Sequence, residues 1–154
     1  MATLPVVFHA LASNRLSEFP ELSHAWSDSP ASDRRELIIP AASADGFAVI
    51  VQCETYGLYV FADAWHGAPF ECGPSTGTLE ATAESCLGFV RTLLCADSHL
   101  RVFSAARSPY RWRLTYQTEE GSKTEETGSL FFNYFGTRSE RLLQNRVLPA
   151  RYVS

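Results

Sequence analysis

The spacing of apolar positions divides the chain into helical and extended stretches. Leu4, Val7, Phe8 and Leu11 recur at helical spacing behind Thr3, which predicts an opening helix with Pro5 tolerated in its first turn. Ser17 as an N-cap predicts a second, shorter helix over residues 18–26. The polar segment 27–35, broken by Pro30, reads as a loop leading into the apolar tetrad 36–39, a short strand stopped by Pro40. Residues 47–53 form a near-continuous β-branched run. Thr55, Tyr56 and Gly57 then turn the chain back into residues 58–62, so this stretch predicts a hairpin with both faces largely covered. Regular structure ends in the segment 63–74. Thr78 then caps the strongest amphipathic pattern, with Leu79, Ala83, Cys86, Leu87, Val90, Leu93 and Leu94 on one face and Glu80, Glu84 and Arg91 off it. Glu80 lies in the first turn, where a negative charge complements the helix dipole.

The last third is mostly extended. Residues 100–104 suggest a strand, and 110–117 alternate: Tyr110, Trp112, Leu114 and Tyr116 share one face, Arg111, Arg113, Thr115 and Gln117 the other. The polar stretch 119–126 reads as a turn before a third strand at 129–135. Thr137 and Glu140 have capping-box spacing, which predicts a short helix through Leu142, Leu143 and Val147 that Pro149 ends.

These elements define an α+β class: one twisted antiparallel sheet with a long central helix packed on one face, N-terminal helices and a short C-terminal helix. The 154 residues, 45% of them hydrophobic, suit a single domain, with an N-terminal helical and loop segment at 1–35 and a sheet-plus-helix core at 36–149. The element order is compatible with a cone-shaped cystatin-like sheet or a secretion-chaperone-like fold. No stretch carries a signature from which a function could be borrowed.

A net charge of −4 argues against a dedicated nucleic-acid binder, whose affinity comes mainly from neutralising phosphates. The charge is uneven: residues 1–77 carry 3 basic and 9 acidic groups (net −6), residues 78–154 carry 10 and 8 (net +2), which suits a complementary partner or second copy. Lys123 is the only lysine beside 12 arginines, a bias that a GC-rich bacterial genome explains. Cys53, Cys72, Cys86 and Cys95 form no CxxC pair, so no metal or cofactor is expected, and Cys86 and Cys95 are expected to be buried. The N-terminal apolar stretch has no preceding basic side chain and is too short for a secretory signal, so the expected compartment is the cytoplasm, without a membrane.

Two clusters carry candidate chemistry. Asp63, Trp65, His66, Glu71 and Cys72 follow the end of a strand. There His66 is the natural centre, because histidine is the side-chain type whose ordinary pKa lies near neutral pH; Asp63 is a candidate to orient its ring, and Glu71 or Cys72 could supply an acid, nucleophile or ligand. The plainer expectation is that Trp65 and Phe70 plug the sheet edge while His66 serves the loop. Arg111 and Arg113, interleaved with aromatics, suit a protein interface better than stacked bases, because strand alternation separates the two sets. The leading expectation is therefore a small bacterial cytoplasmic non-enzymatic protein that binds another protein, immunity-like or chaperone-like, or forms a homodimer. The alternative is a small-molecule binder or enzyme with a pocket lipped by residues 63–72 and centred on His66.

Overall fold

The computed structural model describes residues 2–28 and 34–150. Helix α1 (Leu4–Leu16) buries Leu4, Phe8, Ala12 and Leu16, a four-residue spacing that lays one stripe against the core. Thr3 precedes it in extended conformation, although its side chain makes no capping bond. The second helix expected at 18–26 does not form. Pro20 has no N–H to donate and disfavours a helical residue before it, so the chain turns after α1 and enters strand β1 (Ala25–Asp28). The loop expected over 27–35 is shortened at both ends, since Ser27 and Asp28 belong to β1 and Arg35 opens the next strand; its centre, 29–33, lies outside the described residues.

Strands β2 (Arg35–Ile39), β3 (Val49–Cys53) and β4 (Gly57–Ala62) continue an antiparallel sheet that begins with β1. In β3 the side chains of Val49, Val51 and Cys53 are buried while those of Ile50 and Gln52 are half-buried, the period of two that a strand imposes. Two short strands complete this sheet on β4. β5 (Trp65–His66) pairs with Phe61 and Ala62, and β6 (Phe70–Glu71) pairs with Gly57 and Leu58. Helix α2 (Leu79–Leu94) follows, with Thr78 Oγ1 accepting the Ala81 N–H at 3.1 Å.

A second antiparallel sheet is built from β7 (His99–Ala105), β8 (Ser108–Thr118), β9 (Gly121–Gly128) and β10 (Arg138–Leu143), in the order β10-β7-β8-β9. Three expected assignments are reversed here. The polar stretch read as a turn is largely the strand β9. Thr118 pairs with Gly121, only Glu119 and Glu120 turn the chain, and Gly121 takes φ +117°, a left-handed backbone that favours glycine. With β8 already paired to β9, residues 129–135 have no strand to join and form a loop. The expected C-terminal helix is instead β10, which pairs with β7 from Arg138 opposite Ala105 to Leu143 opposite Leu100. That pairing satisfies backbone groups on an otherwise open β7 edge.

The α+β class with antiparallel sheets stands, but there are two sheets, and α2 does not lie on one face of a single one. It packs on β4 and β6 of the first sheet and on β8 of the second. Where the sheets meet, the Thr127 hydroxyl donates to the His66 carbonyl at 2.8 Å and accepts the His66 N–H at 3.4 Å. Past β10, buried Asn145 acts as a strand neighbour for Phe47: Nδ2 donates to its carbonyl at 2.9 Å and Oδ1 accepts its N–H at 3.1 Å. Buried residues from both sheets and both helices form one cluster.

Candidate functional site

The segment at 63–72 is folded by β4. Asp63 and Ala64 make the two-residue turn into β5, with Asp63 at φ 54° and its N–H donating to the Ala48 carbonyl at 2.9 Å. His66 is exposed, its ring centre 6.0 Å from that of Phe61 and its backbone held by Thr127. Glu71 is exposed on β6. Cys72 is half-buried, with its Sγ–H directed to the Gly77 carbonyl at 3.9 Å. No hydrogen bond or ion pair among the described residues joins His66 to Asp63, Glu71 or Cys72, so the fold does not assemble the expected histidine-centred group. Nor does any set of three His, Cys, Asp or Glu side chains gather there as a metal site would, among the described residues. His99 lies in the other sheet, on β7 opposite Thr115.

The same segment does lip a cleft, centred on other residues. Trp65 is buried at 1% exposure, and its indole ring lies 6.1 Å from Phe89 of α2. Phe89 also meets Phe70 at 5.9 Å and Tyr116 of β8 edge-on at 5.2 Å. With Val60, residues 67–69 and Glu125 of β9 these rings border a space of about 510 Å³. Tyr116 donates its hydroxyl to Glu125 Oε1 at 2.8 Å. Burial, then the bond to Glu125 and its charge, push the Tyr116 phenol up to about 12. Sequence reasoning missed Phe89, Tyr116 and Glu125 as partners of this segment.

Arg111 and Arg113 share a face of β8, as alternation requires, and that face is occupied within the chain. Arg113 binds Glu126 at 2.7 Å, Arg111 approaches the same carboxylate at 3.9 Å, and their guanidinium carbons lie 5.4 and 4.2 Å from the Phe103 ring centre.

The loop at 129–136, whose apolar pattern predicts a strand, is the third feature. Phe132 stacks on Tyr110 at 4.0 Å with 11° between planes, and Arg138 lies over both rings at 4.7 and 5.3 Å. Local bonds fix the loop's path. Tyr134 Oη donates to the Leu130 carbonyl at 2.8 Å, the Phe135 N–H to Asn133 Oδ1 at 3.1 Å, and Arg138 Nη2 to the Tyr134 carbonyl at 3.1 Å. Gly136 packs so closely on Ala106 that a Cβ there would sit 2.7 Å from the Ala106 Cβ. The inward stack leaves Leu130, Phe131 and Phe135 pointing into water.

No helix among the described residues is long and apolar enough to cross a membrane. No family model, curated protein or solved structure matches the chain at a significant level, so function is argued from this geometry.

Proposed function

We propose that the protein works by binding another protein rather than by catalysis, and that the loop at 129–136 makes the contact. The observation that carries this reading is the exposure of Leu130, Phe131 and Phe135, at 81%, 94% and 101%. Large apolar side chains clustered in contact with water mark association sites, and aromatic anchors on a pre-shaped support lose little entropy on docking. Arg107 and Arg138 flank the loop with no carboxylate in ion-pair reach among the described residues. The partner that fits is therefore a protein with an apolar groove edged by acidic side chains. An immunity-like or chaperone-like role, in which the chain holds one partner, accords with this surface. A bacterial cytoplasmic setting is part of the proposal, supported by the arginine bias and the unbridged thiols. Arg111 and Arg113 are already engaged by Glu126, which shifts the contact from their face to the loop.

A photoreactive benzoyl group carried on the ring of Phe131 tests this in the living cell. One discrete conjugate with another protein is expected, lost when Leu130→Ser and Phe135→Ser accompany it while circular dichroism stays unchanged. A conjugate that survives those substitutions removes the loop from the interface. Conjugation only to a second copy, with a dimer in sedimentation, replaces the partner by self-association.

A further inference from the structure

We infer that the cleft between the β5–β6 segment and the β8–β9 hairpin binds a small organic cation, an alkylammonium or quaternary ammonium group. The site is independent of the loop at 129–136 and shares no residue with it. Its walls are Trp65, Phe70, Phe89 and Tyr116, with neighbouring ring centres 5.2 to 6.1 Å apart around Phe89. Aromatic faces carry the negative part of the ring quadrupole and attract a weakly hydrated cation. Glu125 adds one carboxylate to these walls, and among the described residues no cationic side chain pairs with it. The next residue, Glu126, takes both Arg111 and Arg113, because successive side chains of a strand point to opposite faces. Alternation along β9 thus separates a neutralised carboxylate on the arginine face from an unneutralised one at the cleft.

Further observations narrow the ligand. Gly67 keeps the lip open, since a Cβ there would sit 2.8 Å from the Trp65 ring and 3.5 Å from Glu125 Oε2. Trp65 lies beneath the other rings at 1% exposure, so its indole reports on the cleft floor. One carboxylate among rings is the wrong donor set for Ca²⁺ or Mg²⁺, which need several oxygens. It suits an ammonium whose methyl or methylene groups face the rings. The volume of about 510 Å³ falls in the range of small-molecule sites.

Choline and its uncharged carbon isostere, 3,3-dimethylbutan-1-ol, are the probes, titrated into ¹⁵N-labelled protein. The Trp65 indole N–H signal, identified by its loss in Trp65→Phe, should shift saturably with choline. The isostere should bind about tenfold more weakly. Glu125→Gln keeps an acceptor for Tyr116 and removes the charge. It should weaken choline about tenfold while leaving the isostere unchanged. Leu130→Ser with Phe135→Ser should leave choline binding intact, which separates this site from the proposed protein contact. Equal binding of the two probes, no saturable shift with choline, or unchanged choline affinity in Glu125→Gln would each overturn the inference.

Discussion

Desolvation by the surrounding core pushes the Cys53 thiol up to about 12, against a smaller opposing pull from Arg35, and burial raises that of Cys86 as well. Cys95 is also buried, its Sγ–H directed to the Arg91 carbonyl at 3.2 Å, and none of the four thiols is bridged. The thiolate is the reactive form, so a thiol reagent at neutral pH should label half-buried Cys72 fast and the other three only on unfolding. Fast labelling of Cys53 or Cys86 would contradict the strand and helix that bury them. His99 supplies the complementary acid-side test. Burial, then the Arg101 charge, hold its imidazole below the ordinary 6.5, so the folded state prefers the neutral ring. The resulting stability is present above about pH 6.5 and is lost as pH falls through the lowered folded value. His99→Gln should therefore lose less stability than the wild type between about pH 7.5 and about pH 5, read as urea midpoints. An identical acid-side loss in both proteins would remove His99 as its source.

Helix α2 shows where a periodicity argument succeeds and where it overreaches. The apolar recurrence over residues 79–94 is enough to place the helix, and Ala83, Cys86, Val90, Leu93 and Leu94 are buried as their spacing requires. Leu79 and Leu87 are the exceptions, both half-buried. Leu87 borders, with Gly88, a groove of about 240 Å³ against the end of α1 and the turn after it. Leu87→Ala should then cost about 1 kcal/mol rather than the roughly 2–5 kcal/mol of a fully enclosed leucine. A Cβ on Gly88 would meet nothing within 4 Å, so Gly88→Ala should stabilise by about 0.5–1 kcal/mol through reduced backbone entropy in the unfolded chain. Chemical denaturation reads both changes, and a destabilising Gly88→Ala would mean that something packs over the groove floor. Strand β9 was illegible for the opposite reason. It is an edge strand with seven of its eight residues exposed, so it has no alternation of hydrophobicity to display. The apolar run at 129–135 looked like the missing strand because pattern reading assumes that such a run is buried. Glu125 and the cleft stayed hidden with β9, since only strand pairing reveals that Glu125 and Glu126 face opposite ways. Phe89 stayed hidden because it lies off the apolar stripe that identified the helix. The lip at 67–70 was legible as a break in regular structure, though not its chemistry.

No β-ladder joins the two sheets; they are tied by the Thr127 hydroxyl on His66, by Asn145 on Phe47, by the Gln144 N–H donating to the Asp45 carbonyl, by Arg141 on the Ala44 carbonyl, and by α2 packed on both. Expecting one sheet was natural, because strands adjacent in sequence usually pair. Here the chain passes through α2 before β7 and starts a new sheet, whose far edge β9 meets β5 through a side chain instead of a ladder. The core does not respect that division, since Leu93 at 0% exposure belongs to a cluster with Val51 and Leu58 of the first sheet and Leu100 and Leu114 of the second. A cavity at Leu93 should therefore weaken both sheets equally. Leu93→Ala is expected to cost about 2–5 kcal/mol, a large part of the roughly 5–15 kcal/mol that holds a typical domain. The three tryptophans are placed to report where the loss is felt: Trp26 on β1, Trp65 on β5 and Trp112 on β8. With 5-fluorotryptophan incorporated, their ¹⁹F signals should lose native intensity at one common urea concentration, in the parent and, shifted lower, in Leu93→Ala. A Trp112 midpoint that falls while the Trp26 midpoint stays would mean that the sheets unfold as separate units and that α2 belongs energetically to the second. Coincident midpoints would establish that the helix carries stability across a seam that no β-ladder spans.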